Sequence, residues 1–141
     1  MNKMKSVSQT KIIDITEVSE YEKYVYRCLV GPFRRYKKRQ EYLEKAIPKG
    51  VHKKLLILDG EIVGQIEYAP TEVSYCPIIG DNIIVMNCIW VLRKAKGHNF
   101  GKLLLQDMIK SERDAAGFAT ITLERPLEPM VYEMANGKVR L

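Results

Sequence analysis

Val91 to Leu105 reads VLRKAKGHNFGKLLL: the end of an apolar run, a basic turn containing glycine, and the start of an amphipathic helix. The apolar run, Ile83 to Leu92, has the length and residue types of a strand. This order suits an anion. Backbone N–H groups in a turn and at a helix start are unsatisfied donors, and the helix dipole adds partial positive charge beside them. Arg93, Lys94, Lys96 and Lys102 bring further charge to the same turn. A phosphate could therefore be held largely by main chain.

Working outward, Phe100 to Ala116 reads as a helix with Phe100, Leu104, Leu105, Met108 and Ile109 on its inner side, ended by Gly117. Phe118 to Leu123 alternates like a strand, so strand, helix and strand make a crossover with a parallel pair. Upstream, LLIL, Asp59–Gly60 and EIVGQIEYA form a hairpin around a two-residue loop of the type I′ kind. Gly64 within it suggests a bulge or the close approach of a neighbour, and Pro70 ends it. A loop through Pro77 and Gly80 then leads back to the apolar strand.

Lys11 to Ile15 reads as a first strand, with Thr16 as the N-cap of a helix carrying Val18, Tyr21, Val25, Cys28 and Leu29 at helical spacing. Gly31–Pro32 breaks that helix. Arg35 to Ile47 makes a basic second one with Tyr36, Tyr42, Leu43, Ala46 and Ile47 inward, stopped by Pro48 and Gly50. After Pro126 and Pro129 a short helix is expected near Met130 to Ala135, leaving Lys138 to Leu141 for a sixth strand. The sum is a mixed α/β sheet with helices on its faces.

The 141 residues suit one domain spanning the chain, with residues 1–9 disordered. No apolar run reaches membrane-spanning length, and no signal-peptide core precedes the first strand. Cys28, Cys76 and Cys88 lack metal or redox-pair spacing and read as buried thiols in a reducing cytoplasm, with no metal site suggested. The net charge of +6 favours acidic partners, and the basic residues gather at Arg34 to Arg39, Lys53–Lys54 and Arg93 to Lys102. No aromatic nucleic-acid signature accompanies them, so a nucleic-acid role rests on charge alone.

With these elements placed, the chain resembles the GNAT superfamily of acyl-CoA-dependent N-acetyltransferases. Members carry V-x-P-x-x-[RQ]-G-x-G-[IL]-G-K-x-L-L, and Val91 to Leu105 follows it without a gap. The DGEIVG hairpin, the preceding helix pair and the following strand keep the family's order. The NCIWV strand is also similar to a branch that often bears a YoaP-type C-terminal extension. Arg93 replaces the pattern's proline, Lys96 its Arg or Gln, Asn99 its second glycine, and Phe100 its Ile or Leu. Asn is the most tolerable non-glycine residue if that position needs positive φ. Lys keeps the charge but loses bidentate geometry.

The resemblance implies a C-terminally shortened GNAT fold, acetyl-CoA as co-substrate, and a primary amine as acceptor. It implies that the strand splays after Val91, freeing main chain of Ile89, Trp90 and Val91 for pantetheine, with an N–H there stabilising the oxyanion. Lys96, Gly97, His98, Asn99, Phe100, Gly101 and Lys102 would receive the pyrophosphate. Tyr132, in Pro129-Met130-Val131-Tyr132-Glu133, would protonate the leaving thiolate. The acceptor's base is less legible. Glu67 and Glu72 are candidates, though an exposed strand carboxylate is the plainer reading of Glu67. His98 reads as a phosphate neighbour, His52 has no visible partner, Cys88 reads as a structural thiol, and Trp90 as core. A homodimer could complete the terminal sheet edge. A non-catalytic acyl-CoA-binding module and a basic nucleic-acid-associated protein are the alternatives.

Overall fold

The computed structural model describes residues 8–17, 22–25 and 37–121. Its elements are β1 (Thr10–Asp14), α1 (Glu22–Val25), α2 (Lys37–Ala46), β2 (His52–Leu58), β3 (Glu61–Pro70), α3 (Thr71–Ser74), β4 (Ile83–Val91), α4 (Phe100–Ser111) and β5 (Gly117–Thr120). The strands form one sheet in the order β1-β2-β3-β4-β5. Neighbours are antiparallel except β4 and β5, the parallel pair that the α4 crossover requires.

Tight local chemistry sets the register. Asp59 and Gly60 both adopt positive φ, 48° and 85°, which gives the β2–β3 hairpin its type I′ turn. The turn is also tied to the N-terminal segment: Gln9 N–H donates to the Asp59 carboxylate and Asp59 N–H donates back to the Gln9 carbonyl. A bulge follows, because Leu56 faces Gly64 while Ile57 faces Ile62. A Cβ on Gly64 would stand 3.0 Å from the Trp90 carbonyl oxygen and 3.4 Å from Leu104 Cδ1. The glycine thus allows β4 and α4 to close on β3. At the end of α2, a 3-10 turn over Ile47–Lys49 stops on Gly50, which caps at φ 111° and donates to the Ile47 carbonyl.

The two sheet faces hold separate cores. Leu56, Val63, Ile66, Tyr68 and Ile84 pack against Phe100, Leu104 and Met108 of α4. Ile15, Leu55 and Ala69 pack on the other face with Val25, Leu43 and Ala46 of the first two helices. β2 serves both faces through adjacent lysines. Lys53 donates from Nζ to the Tyr24 carbonyl at 2.9 Å on α1. Lys54 donates to Asp107 and Ser111 of α4, each at 2.6 Å. Alternation in a strand turns neighbours to opposite faces, so the pair pins a helix on each side. Both are buried, which removes Lys53–Lys54 from the surface basic clusters expected above.

Other details depart from expectation. Thr16 caps no described helix; its hydroxyl and N–H both donate to Asp14 Oδ1. β4 ends at Val91, because Leu92 turns into a 3-10 segment over Arg93–Ala95. α3, a single turn, occupies the supposed loop after Pro70. α4 stops at Ser111, where Glu112 N–H still reaches the Met108 carbonyl. Asn82 then draws the chain back to the start of β4: its Nδ2 donates to the Asp114 carbonyl and its carbonyl accepts from Ala116 N–H. Ile109 is 48% exposed because it sits one residue round the helix from the Phe100–Leu104–Met108 stripe. The rest of the first helix, Gly31–Pro32, Tyr36, the helix near Met130 to Ala135 and the sixth strand lie outside the described residues.

At the far end of β2, His52 shows a partner that the sequence hid. Its Nδ1 lies 2.6 Å from Asp14 Oδ2 and its Nε2 3.6 Å from Glu112 Oε1, with the ring stacked on Tyr68. The side chain links β1, β2 and the turn after α4. Glu17 also brings an oxygen near Asp14 and His52, all ligand atoms within 4.8 Å, but Asp14 and His52 are already bonded to each other.

Candidate functional site

β4 changes character half-way along. Ile84 to Met86 pair with β3 on one side and with β5 on the other. Beyond Met86, β5 has ended at Thr120, whose hydroxyl donates to the Met86 carbonyl. On the β3 side, Glu67 faces Cys88 and Tyr68 faces Met86, which leaves Asn87 unopposed as a bulge. A bulge bends its strand and sharpens the twist, so it turns the second half of β4 away from the line of β5. Among the described residues the sheet therefore opens at Asn87, before the expected point after Val91.

The open edge is selective. Leu92 N–H donates to the Val63 carbonyl, and the Trp90 carbonyl points at Gly64. In an antiparallel ladder the residues alternate, so Ile89 and Val91 turn their N–H and C=O groups to the side that β5 has left. Trp90, expected to offer its main chain as well, spends it on β3. Its side chain departs from expectation too: it is 37% exposed rather than core, with the Lys96 ammonium 5.8 Å from the ring centroid.

The chain then enters the basic turn. Ala95 is buried and anchors the 3-10 segment; Lys96 is extended. Gly97 and Asn99 take positive φ, 89° and 59°, so Asn99 occupies the left-handed conformation that its position was suspected to need. Asn99 caps no helix N–H with its side chain, and the first N–H groups of α4 lack intrahelical partners. A Cβ on Gly97 or Gly101 would meet nothing within 4 Å, so the space before these donors is open. Phe100 points into the core and stacks with His98, which is exposed at the turn's rim. Lys96 and Lys102 are exposed, while Lys94 is paired with Glu61 at 2.6 Å.

Beside the bulge lies a cavity of about 680 Å³, between α2, α3 and the β3–β4 pair. Asn87 and Cys88, which directly precede Ile89, form one wall. Glu67 is 6% exposed, not the exposed strand carboxylate expected, and is hydrogen-bonded to Arg39 Nη2. Arg39 Nε is buried with no partner among the described residues. Tyr42 donates its hydroxyl to the Val73 carbonyl and meets Tyr75 edge-to-face, ring centroids 5.0 Å apart. Burial raises the Tyr42 phenol above its usual pKa, and the nearby Glu67 charge adds to this. Cys88 is half-buried with Gln65 Nε2 3.4 Å from its sulfur, and Cys76 is half-buried too, so neither is the enclosed thiol expected.

No family model matches the chain, and no curated protein matches its sequence. Solved structures do match its shape. The aminoglycoside 6'-N-acetyltransferase AAC(6')-Ih from Acinetobacter baumannii superposes with a TM-score of 0.64 at 17% identity, over 94% of this chain and 92% of that one. The aminoglycoside N-acetyltransferase AAC(6')-Iy, in complex with CoA, gives 0.61 at 12% identity over 99% and 93%. A GNAT-family acetyltransferase from Streptococcus pneumoniae gives 0.50 at 14% identity over 93% and 86%. The fold is that of the GNAT acetyltransferases.

Ile89 and Val91, at the end of β4, are followed along the chain by the 3-10 segment and the Gly97–Lys102 turn at the start of α4. Arg39, Tyr42 and Tyr75 were not expected beside β4. Their only signal was the basic, tyrosine-containing second helix, and nothing local in sequence joins α2 to the bulge of β4. Glu72 is exposed on α3. Tyr132 and any terminal edge that a homodimer would complete lie outside the described residues. No helix among the described residues is long and apolar enough to cross a membrane.

Proposed function

We propose that the chain is an acetyl-CoA-dependent N-acetyltransferase acting on a primary amine. The observation that supports this best is the succession of two donor systems: the β4 edge at Ile89 and Val91, unpaired among the described residues, and the open turn from Gly97 to Lys102. Pantetheine carries two amides and adds to the edge as a strand would. The pyrophosphate meets the N–H groups of the turn and the first turn of α4, with Lys96 and Lys102 as point charges. His98 and the Trp90 ring flank this path.

The chemistry follows from that placement. A neutral amine attacks the thioester carbonyl, and the carbonyl oxygen takes negative charge that the N–H of Ile89 or Val91 stabilises. The carbon–sulfur bond then breaks; the thiolate takes a proton, for which Tyr132 is the candidate donor, and the new ammonium loses one to become the amide. Holding both reactants at the bulge supplies the orientation the step needs.

Calorimetry with acetyl-CoA tests the reading directly. Binding in the micromolar range is expected, and no heat with no thermal shift would sink it. With binding in hand, thiol release over a panel of polyamines, amino acids, aminoglycosides and peptides tests transfer. Tyr132→Phe is expected to lower turnover about tenfold or more with acetyl-CoA affinity unchanged; full activity removes Tyr132 from the mechanism.

A further inference from the structure

The cavity beside the bulge carries a charge pattern of its own. Two of its acidic side chains are already engaged: Glu67 with Arg39, and Glu41 with Lys37 on the outer face of α2. Lys38 and Lys45 border the same cavity with no ion pair among the described residues. Arg39 spends one nitrogen on Glu67 and keeps further donors, including a buried Nε without a described partner. Glu67 fixes the guanidinium more than it cancels the site. The remaining wall is aromatic: Tyr75 holds a left-handed backbone at φ 55° and projects an 82% exposed ring against Tyr42. A non-glycine aromatic residue is rarely held there, and here that backbone sets the ring at the cavity's mouth.

We propose that the acceptor is a primary amine that also bears a carboxylate, such as an amino acid or an acidic peptide end. Arg39 binds that carboxylate with Lys38 and Lys45 adding charge at the rim, and the Tyr42–Tyr75 wall packs its apolar part. The amine then lies beside Asn87 and Cys88, next to the edge where the thioester is presented. The assignment rests on the acetyltransferase reading above. A polycation such as an aminoglycoside is disfavoured, because it meets two lysines with no ion pair among the described residues and a carboxylate already taken by Arg39.

The test compares three amines on the full chain with saturating acetyl-CoA, read by thiol release: alanyl-glutamate, its diamide, and neamine. Alanyl-glutamate is expected to exceed its diamide about tenfold or more in kcat/KM, since a charge-assisted hydrogen bond is lost in the amide. Arg39→Gln should erase that ratio through KM with kcat nearly kept, which a purely structural role would not do. Should Arg39→Gln fold poorly for leaving Glu67 unpaired, the exposed pair Lys38→Glu with Lys45→Glu gives the same reading by reversing the rim charge. Equal rates for dipeptide and diamide, or a preference for neamine, overturn the assignment. Acetyl-CoA binding without turnover of the dipeptide overturns the acceptor assignment and leaves the cofactor reading standing. No acetyl-CoA binding overturns both.

Discussion

The two halves of β4 have similar sequences and opposite duties. Ile84 to Met86 is enclosed, with a strand on each side and Ile84 and Val85 buried beneath. Asn87 to Val91 has β3 on one side and no described strand on the other. Both halves are apolar and β-prone, so composition does not separate them. One unopposed residue does. The bulge at Asn87 marks the end of shared pairing with β5, and the next residues form an edge whose outward hydrogen bonds are unspent among the described residues. Edges of this kind are normally covered or charged to prevent aggregation; here the same liability is what a ligand with amide groups can use. On the proposed function, stability belongs to the first half and recognition to the second.

That division can be broken by substitution on either side of the bulge. The largest effect is expected in the enclosed half: Ile84→Ala should cost about 2–4 kcal/mol, as for a truncated core aliphatic. Urea unfolding measures it, and acetyl-CoA affinity of the folded protein should hardly move. A loss under 1 kcal/mol would mean that this half is not the stabilising one. In the turn that follows the second half, Gly101→Trp should reduce acetyl-CoA affinity about a hundredfold while stability stays or rises, because glycine is a poor helix residue and its Cβ direction is empty. Titration calorimetry beside a melting curve separates the two. Unchanged affinity would show that the open space before the turn is not the pyrophosphate site.

The sequence carried the second half better than its surroundings. Asp59–Gly60, Gly64, Gly97 and Asn99 each answer a backbone demand, positive φ or close approach, that few other residues meet, so their spacing was readable. The bulge was not. Asn87 looks like one polar residue in a strand, and its unopposed state depends on how β3 and β4 align across the chain between Pro70 and Ile83. The lysines of β2 misled for the opposite reason. Lys53 and Lys54 read as surface charge, yet each is buried against a helix carbonyl or carboxylate far along the chain. Glu67 repeats the lesson, since its partner Arg39 sits on α2. Local demands are written in the sequence; long-range pairings of charged side chains are not.

The smallest expected effect sharpens the contrast by pH. His52 faces Tyr68, which faces Met86, so His52 stands in the cross-strand row of the enclosed half, while its partner Asp14 faces Lys54 on β2. Its hydrogen bond to Asp14 raises the His52 pKa above the ordinary 6.5 against the opposing pull of burial, and the charges of Asp14 and Glu112 add to the rise. For Asp14, burial alone would raise the carboxyl, but hydrogen bonds from His52 and Thr16 outweigh it and set it below 3.8. A raised folded pKa for histidine gives stability that is complete below 6.5 and is lost as pH climbs through the folded value. A lowered carboxyl gives stability that is complete above 3.8 and is lost as pH falls through its folded value. The pair therefore stabilises most between these limits, by about 1 kcal/mol for a partly exposed ion pair. His52→Gln should cost that much at pH 5 and progressively less at pH 8, measured by urea unfolding at each pH. Acetyl-CoA affinity at pH 7 should match wild type, because His52 itself stands in the row that β5 closes. A pH-independent loss would assign His52 to packing on Tyr68, and a loss of affinity would show that the two halves of β4 are coupled.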